Sequence, residues 1–155
     1  MKYQRLSKEQ LEELHQEFIR FLATQSITSD EWQKIKAEQP NVAEDELDVF
    51  SDLIWEGVLQ KVNYVEHSSP NKLYLFFFDE NTIELIVLAT EAVNMTTKEG
   101  FTWVMSHIQD DKVSLYTAKN SYSNDKQLDK FKLIQQGAVI SNGELYKTLA
   151  EVLSK

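Results

Sequence analysis

Apolar positions recur at helical spacing early in the chain and at a spacing of two in its middle, so helices precede a sheet. Leu11, Leu14, Phe18, Phe21 and Leu22 follow the capping-box pair Ser7 and Gln10 and predict an amphipathic helix over 8–24. Thr28 with Glu31 caps a second helix carrying Trp32 and Ile35, which Pro40 closes. Asn41 with Glu44 opens a third from 42 to about 59, with an apolar face of Leu47, Phe50, Leu53, Ile54, Val58 and Leu59.

The period then shortens. Residues 61–66, 72–78 and 82–89 read as strands joined by a loop at 68–71 and a tight turn at 79–81. In the middle strand Leu73, Leu75 and Phe77 point one way and Tyr74, Phe76 and Phe78 the other. A strand apolar on both faces must be covered on both, by helices or by a second chain. Thr97 opens a fourth helix with Phe101, Trp103, Val104 and Ile108, and 112–118 alternates again as a fourth strand. Ser123 or Asn124 starts a fifth helix through Leu128, Phe131, Leu133 and Ile134, stopped at Gly137. Val139 and Ile140 form a short apolar link, and Ser141 with Glu144 caps a last helix carrying Leu145, Leu149 and Leu153. The order ααα–βββ–α–β–α–α predicts one α+β domain over residues 1–155. It has an N-terminal three-helix segment, about six helices in all, and a mainly antiparallel four-stranded sheet.

One face of the third helix carries a different pattern. Glu44, Asp48, Asp52 and Glu56 stand four apart, so neighbouring carboxylates share a helix face at a cost of roughly 0.2–0.5 kcal/mol per like-charge pair. That cost points to a basic surface elsewhere in the fold or to a basic partner outside it; the plainer reading is a solvated face. On the repulsion argument, neutralising Asp48 and Asp52 should stabilise the chain slightly. Trp55 lies at the border of the apolar and acidic faces, as a rim residue of the core or as an exposed anchor.

Composition narrows the function classes. The net charge is −9, and residues 1–60 hold six Lys/Arg against thirteen Asp/Glu, so the acidity is concentrated in the first part of the chain. A chain of this charge repels nucleic-acid backbones and has no basic stripe to offset that, so no nucleic-acid partner is expected. The longest apolar run, 73–78, is far short of the roughly 20 residues of a membrane helix, and the N-terminus lacks an apolar core of signal-peptide length. A soluble, cytoplasmic protein is expected, with no membrane partner. Absence of cysteine excludes disulfides, thiolate nucleophiles and cysteine zinc sites.

Catalytic patterns are absent. The four glycines include no G-x-G spacing, and neither H-E-x-x-H nor G-x-S-x-G occurs. His15, His67 and His107 are scattered without partners at motif spacing; His107 sits near a helix C-terminus, where the macrodipole favours an imidazolium. The ridge carboxylates diverge around one axis and would need ligands from a second element, Asp110–Asp111 or Glu84, to hold a cation. No metal, cofactor or catalytic residue is therefore assigned.

The stretches KYQRLSKEQLEELHQEFIRFLATQSIT and ELDVFSDLIWEGVLQKVNYVEH, with TTKEG and QGAVISNGELYK, resemble a family of small uncharacterised proteins from Bacteroidetes-type bacteria. The resemblance spans nearly the whole chain and implies a bacterial cytoplasmic setting; it brings no activity. The expected function is a non-enzymatic protein-binding module, in which Glu44, Asp48, Asp52, Trp55 and Glu56 meet a basic protein, as inhibitors and immunity-type proteins do. The alternatives are a carboxylate- and metal-dependent hydrolase or nuclease, and a self-associating structural protein paired through its sheet.

Overall fold

A computed structural model describes all 155 residues, and the chain groups into two compact units, Met1–Gln60 and Lys61–Lys155, where the sequence pattern carries no boundary. The expected α+β composition is present, with seven helices and a five-stranded antiparallel sheet in place of six and four.

The first unit is helical. The helix expected over 8–24 is two, α1 Lys8–Glu13 and α2 His15–Thr24, because Leu14 leaves helical geometry (φ −96°, ψ 23°) without any proline or glycine to signal it. The N-terminal segment therefore has four helices, the others being α3 Ser29–Glu38 and α4 Pro40–Lys61. Ser7 and Gln10 form the reciprocal capping box, and Thr28 accepts from Glu31 N–H. Pro40 both ends α3 and supplies the first residue of α4, where its missing N–H costs nothing. Phe18 meets Trp32 and Phe50 edge-on, each at 5.1 Å between ring centroids, in a core completed by Leu6, Leu22 and Ala43. Leu53 and Val58, expected on the apolar face of α4, are exposed.

The second unit is built on a sheet of order β4-β3-β2-β1-β5: β1 Tyr64–Ser68, β2 Lys72–Phe78, β3 Thr82–Thr90, β4 Val113–Ser121 and β5 Val139–Ser141. β5 is the link that alternation could not identify. It is three residues long and pairs only with β1, Val65 opposite Ile140. The first strand starts at Tyr64, not Lys61, because α4 runs on to Lys61. On one face α5 Lys98–Ser106 and α7 Glu144–Leu153 bury Leu73, Leu75, Ile86 and Leu88 around Val104 and Leu149. On the other, α6 Lys126–Gln135 brings Leu133 and Ile134 against Val65, Phe76, Phe78 and Ile83. The cap of α6 is Asp125, one residue beyond the expected pair. The cap of α7 is Gly143 at φ +81°, where a Cβ would meet the Tyr64 ring at 2.5 Å, so no bulkier residue fits there.

A charge lies inside this second unit. Lys130 is 2% exposed; its Nζ donates to Val62 O at 2.7 Å and sits 5.4 Å from the centre of the Phe78 ring. Burial, reinforced by repulsion from Lys126, pulls its pKa down to about 8. Between that value and the ordinary lysine value the unfolded chain holds a proton that the native protein has released, so stability rises with pH across this window. Tyr3 and Tyr122 act oppositely: burial, together with Glu56 for the first and Asp79 for the second, pushes each up to about 12. Their contribution is present below the ordinary tyrosine value and lost as pH climbs through the native one. Urea titrations from pH 7 to 11 should therefore show stability increasing by on the order of 2 kcal/mol to a maximum near pH 10, then falling. Lys130→Met should flatten the rising limb; an unchanged limb would mean that another group drives it.

Candidate functional site

The four ridge carboxylates follow one another along α4, drifting about 40° around its axis at each step, and the chain's own first residues lie along them. Residues 2–6 run antiparallel to the helix. Lys2 and Tyr3 donate successive backbone N–H groups to the two oxygens of Asp52, at 2.7 and 2.8 Å. The Tyr3 hydroxyl donates to Glu56, which also faces Lys2 Nζ at 3.6 Å. Arg5 donates Nε–H to Asp48 at 2.6 Å and reaches Glu44 Oε2 at 3.2 Å. Leu6 N–H donates to the buried Ser51 hydroxyl at 3.0 Å, which in turn donates to Leu47 O at 2.7 Å.

The local sequence explains this docking. Tyr3 and Leu6 are buried while Lys2 and Gln4 are exposed, so the segment presents apolar anchors inward. The carboxylates then face cations and N–H donors, and charge-assisted bonds offset the mutual repulsion. The hydrogen bond to Arg5 holds the Asp48 carboxyl below its ordinary range, and Asp48 raises the Arg5 guanidinium in return. Lys2, Tyr3, Arg5 and Ser51 are the participants that the sequence reading did not single out. The available signal was the tract Lys2-Tyr3-Gln4-Arg5-Leu6, two cations three apart with apolar residues beside each.

Trp55 lies at the border of the ridge and the core: it is half-buried and packs against the aromatic core of the first unit. On the other flank of the ridge α4 exposes apolar residues. Val42, Val49 and Leu53 are 41%, 56% and 57% exposed, and their spacings of seven and four place them on one face. Glu44 remains largely solvated, with 63% of its side chain accessible, and Asp45 is exposed close by.

A family model described as a family of unknown function (DUF6495) matches residues 1–154. The chain belongs to that family. No curated protein and no solved structure matches it. Membership of DUF6495 thus covers the ridge, the N-terminal segment and the whole sheet together, and it places no residue in a reaction.

The other chemical candidates in this DUF6495 chain are dispersed. No three His, Cys, Asp or Glu side chains are grouped to hold a metal ion, and no helix is long and apolar enough to cross a membrane. His107 is the C-cap of α5, stacked on Trp103 at 4.2 Å with Nδ1–H donated to Trp103 O at 2.6 Å. His67 lies edge-on to Tyr74 in the sheet, and His15 is exposed on α2.

Proposed function

We propose that this protein is a non-enzymatic binding module of the bacterial cytoplasm whose α4 surface receives a basic protein. The observation that carries the reading is the exposed stripe Val42, Val49 and Leu53 beside an acidic ridge. Exposed apolar side chains with a polar, charged rim mark interaction surfaces, and here the rim carries one sign. The complementary partner is an amphipathic segment with apolar side chains for the stripe and Lys or Arg for Asp45 and the outer oxygens of Asp52 and Glu56, which flank it on the helix. The N-terminal segment supports this chemistry from within the chain, since Lys2 and Arg5 already satisfy these carboxylates with the same cations. The net charge of −9 works against phosphate-backbone ligands and favours encounter with a basic protein.

Fluorescence anisotropy with a labelled Lys/Arg-rich amphipathic helical peptide tests the reading. Saturable binding is expected that weakens as salt rises, and Val49→Asp with Leu53→Asp should reduce affinity by roughly a hundredfold while circular dichroism stays unchanged. Absence of saturable binding, or binding indifferent to the double substitution, would remove α4 as the recognition surface.

A further inference from the structure

The two edges of the sheet are unlike. β5 closes one edge with three residues, and short edge strands are a common protection against unwanted pairing. β4 forms the other edge with nine, Val113–Ser121, and residues 116–121 are all exposed. Its register against β3 is unbroken from Thr82–Ser121 to Thr90–Val113, so no bulge twists the edge away. The strand contains no proline, and its one charge, Lys119, is drawn to Glu84 of the neighbouring strand at 3.3 Å.

The hydrogen-bond alternation shows which groups this edge offers. Asp79 N–H bonds Thr82 O and Thr90 N–H bonds Asn71 O, so the even residues of β3 point to β2 and its odd residues to β4. Ile83, Leu85, Val87 and Ala89 pair with Asn120, Ala118, Tyr116 and Ser114, which leaves the backbone groups of Leu115, Thr117, Lys119 and Ser121 directed outward. No hydrogen bond from within the chain reaches them; of the outward set, Val113 N–H alone is used, by Asp110 O.

We propose that β4 is a self-pairing edge, joining two copies antiparallel along residues 113–121 with the two-fold axis through Thr117. This register opposes Leu115 to Lys119, Thr117 to Thr117 and Tyr116 to Ala118 of the second copy, and it brings outward donors against outward acceptors in about six new hydrogen bonds. No like charges meet. Shifting the axis to Lys119 would oppose two lysines, and shifting it to Leu115 would shorten the ladder. The Thr–Thr pair and the Tyr116 ring, 58% exposed, over a small alanine are favourable cross-strand neighbours. The pairing is isologous, so it closes at two copies, and β5 is too short to extend it into a fibre.

Sedimentation equilibrium of the full chain, at concentrations up to roughly 0.5 mM, should show a monomer–dimer equilibrium. Thr117→Pro removes an N–H that points away from β3, a position where an edge strand tolerates proline, and should weaken the dimer at least about tenfold with an unchanged melting temperature. Because the chain has no cysteine, Thr117→Cys offers a second readout that does not depend on that variant folding. At the two-fold axis the paired Cα atoms would lie about 5.5 Å apart, within disulfide reach, so mild oxidation should cross-link Thr117→Cys. Asn120→Cys, whose side chain faces the opposite side of the sheet and meets Ser114 of the second copy, should stay monomeric on denaturing gels. A wild-type chain that is monomeric throughout, or a dimer in which Thr117→Cys does not cross-link, overturns the proposal.

Discussion

Leu75→Ala is expected to destabilise the protein by roughly 2–5 kcal/mol, and Phe76→Ala by clearly less, although the two are adjacent in one apolar strand. Periodicity makes them equivalent: both are apolar, on opposite faces of β2. The faces differ in what covers them. Leu75 is fully buried between α5 and α7, among Leu73, Ile86, Leu88 and Leu149, and removing its branch leaves a cavity that packed neighbours cannot fill. Phe76 is half-buried beneath α6 and lines a cleft of about 220 Å³ with His67, Tyr74 and Leu133, so part of its ring already faces space. Its truncation forfeits only the fraction of apolar area that is out of water. Urea denaturation of both variants decides the matter. Equal losses would show that the second face is sealed as tightly as the first.

Neutralising the ridge, as Asp48→Asn with Asp52→Asn, is expected to cost about 2 kcal/mol. Counting like charges alone gives the opposite sign, a slight stabilisation. The reversal comes from Asp52 receiving two backbone N–H groups and Asp48 receiving Arg5. An amide in place of each carboxylate halves the acceptor capacity and removes the charge that made these bonds strong. The figure stays modest because the carboxylates are partly solvated, where ion pairs are weak. Part of the effect should be local: hydrogen exchange at Lys2 and Tyr3 should accelerate before the helices open, since a chain terminus detaches at little cost. Acid should act in the same direction. The native Asp48 value lies below the unfolded one, so the stability it contributes is present above the ordinary carboxylate range and lost as pH falls through the native value. A double variant as stable as the wild type at pH 7, with unchanged exchange at residues 2 and 3, would show that the contacts between residues 2–6 and the ridge add nothing to stability.

The elements whose information is local were legible in the sequence. β2 follows from a short apolar run between turn signals, and the caps at Ser7, Thr28 and Thr97 from side-chain oxygens three residues before an N–H; the structure has them where the pattern puts them. The ridge itself was legible because a spacing of four maps directly onto a helix face. What the ridge meets was not, since Lys2 and Asp52 are fifty residues apart and no local rule brings them together. The kink at Leu14, the three-residue β5 and the two uncovered hydrophobics Leu53 and Val58 were hidden for the same reason. Each is settled by what another part of the chain does or does not place against it. Periodicity by itself thus determined which side chains share a face and where the helices and most strands lie. Only the tertiary structure decided which of those faces are covered, because coverage depends on packing between segments distant in sequence.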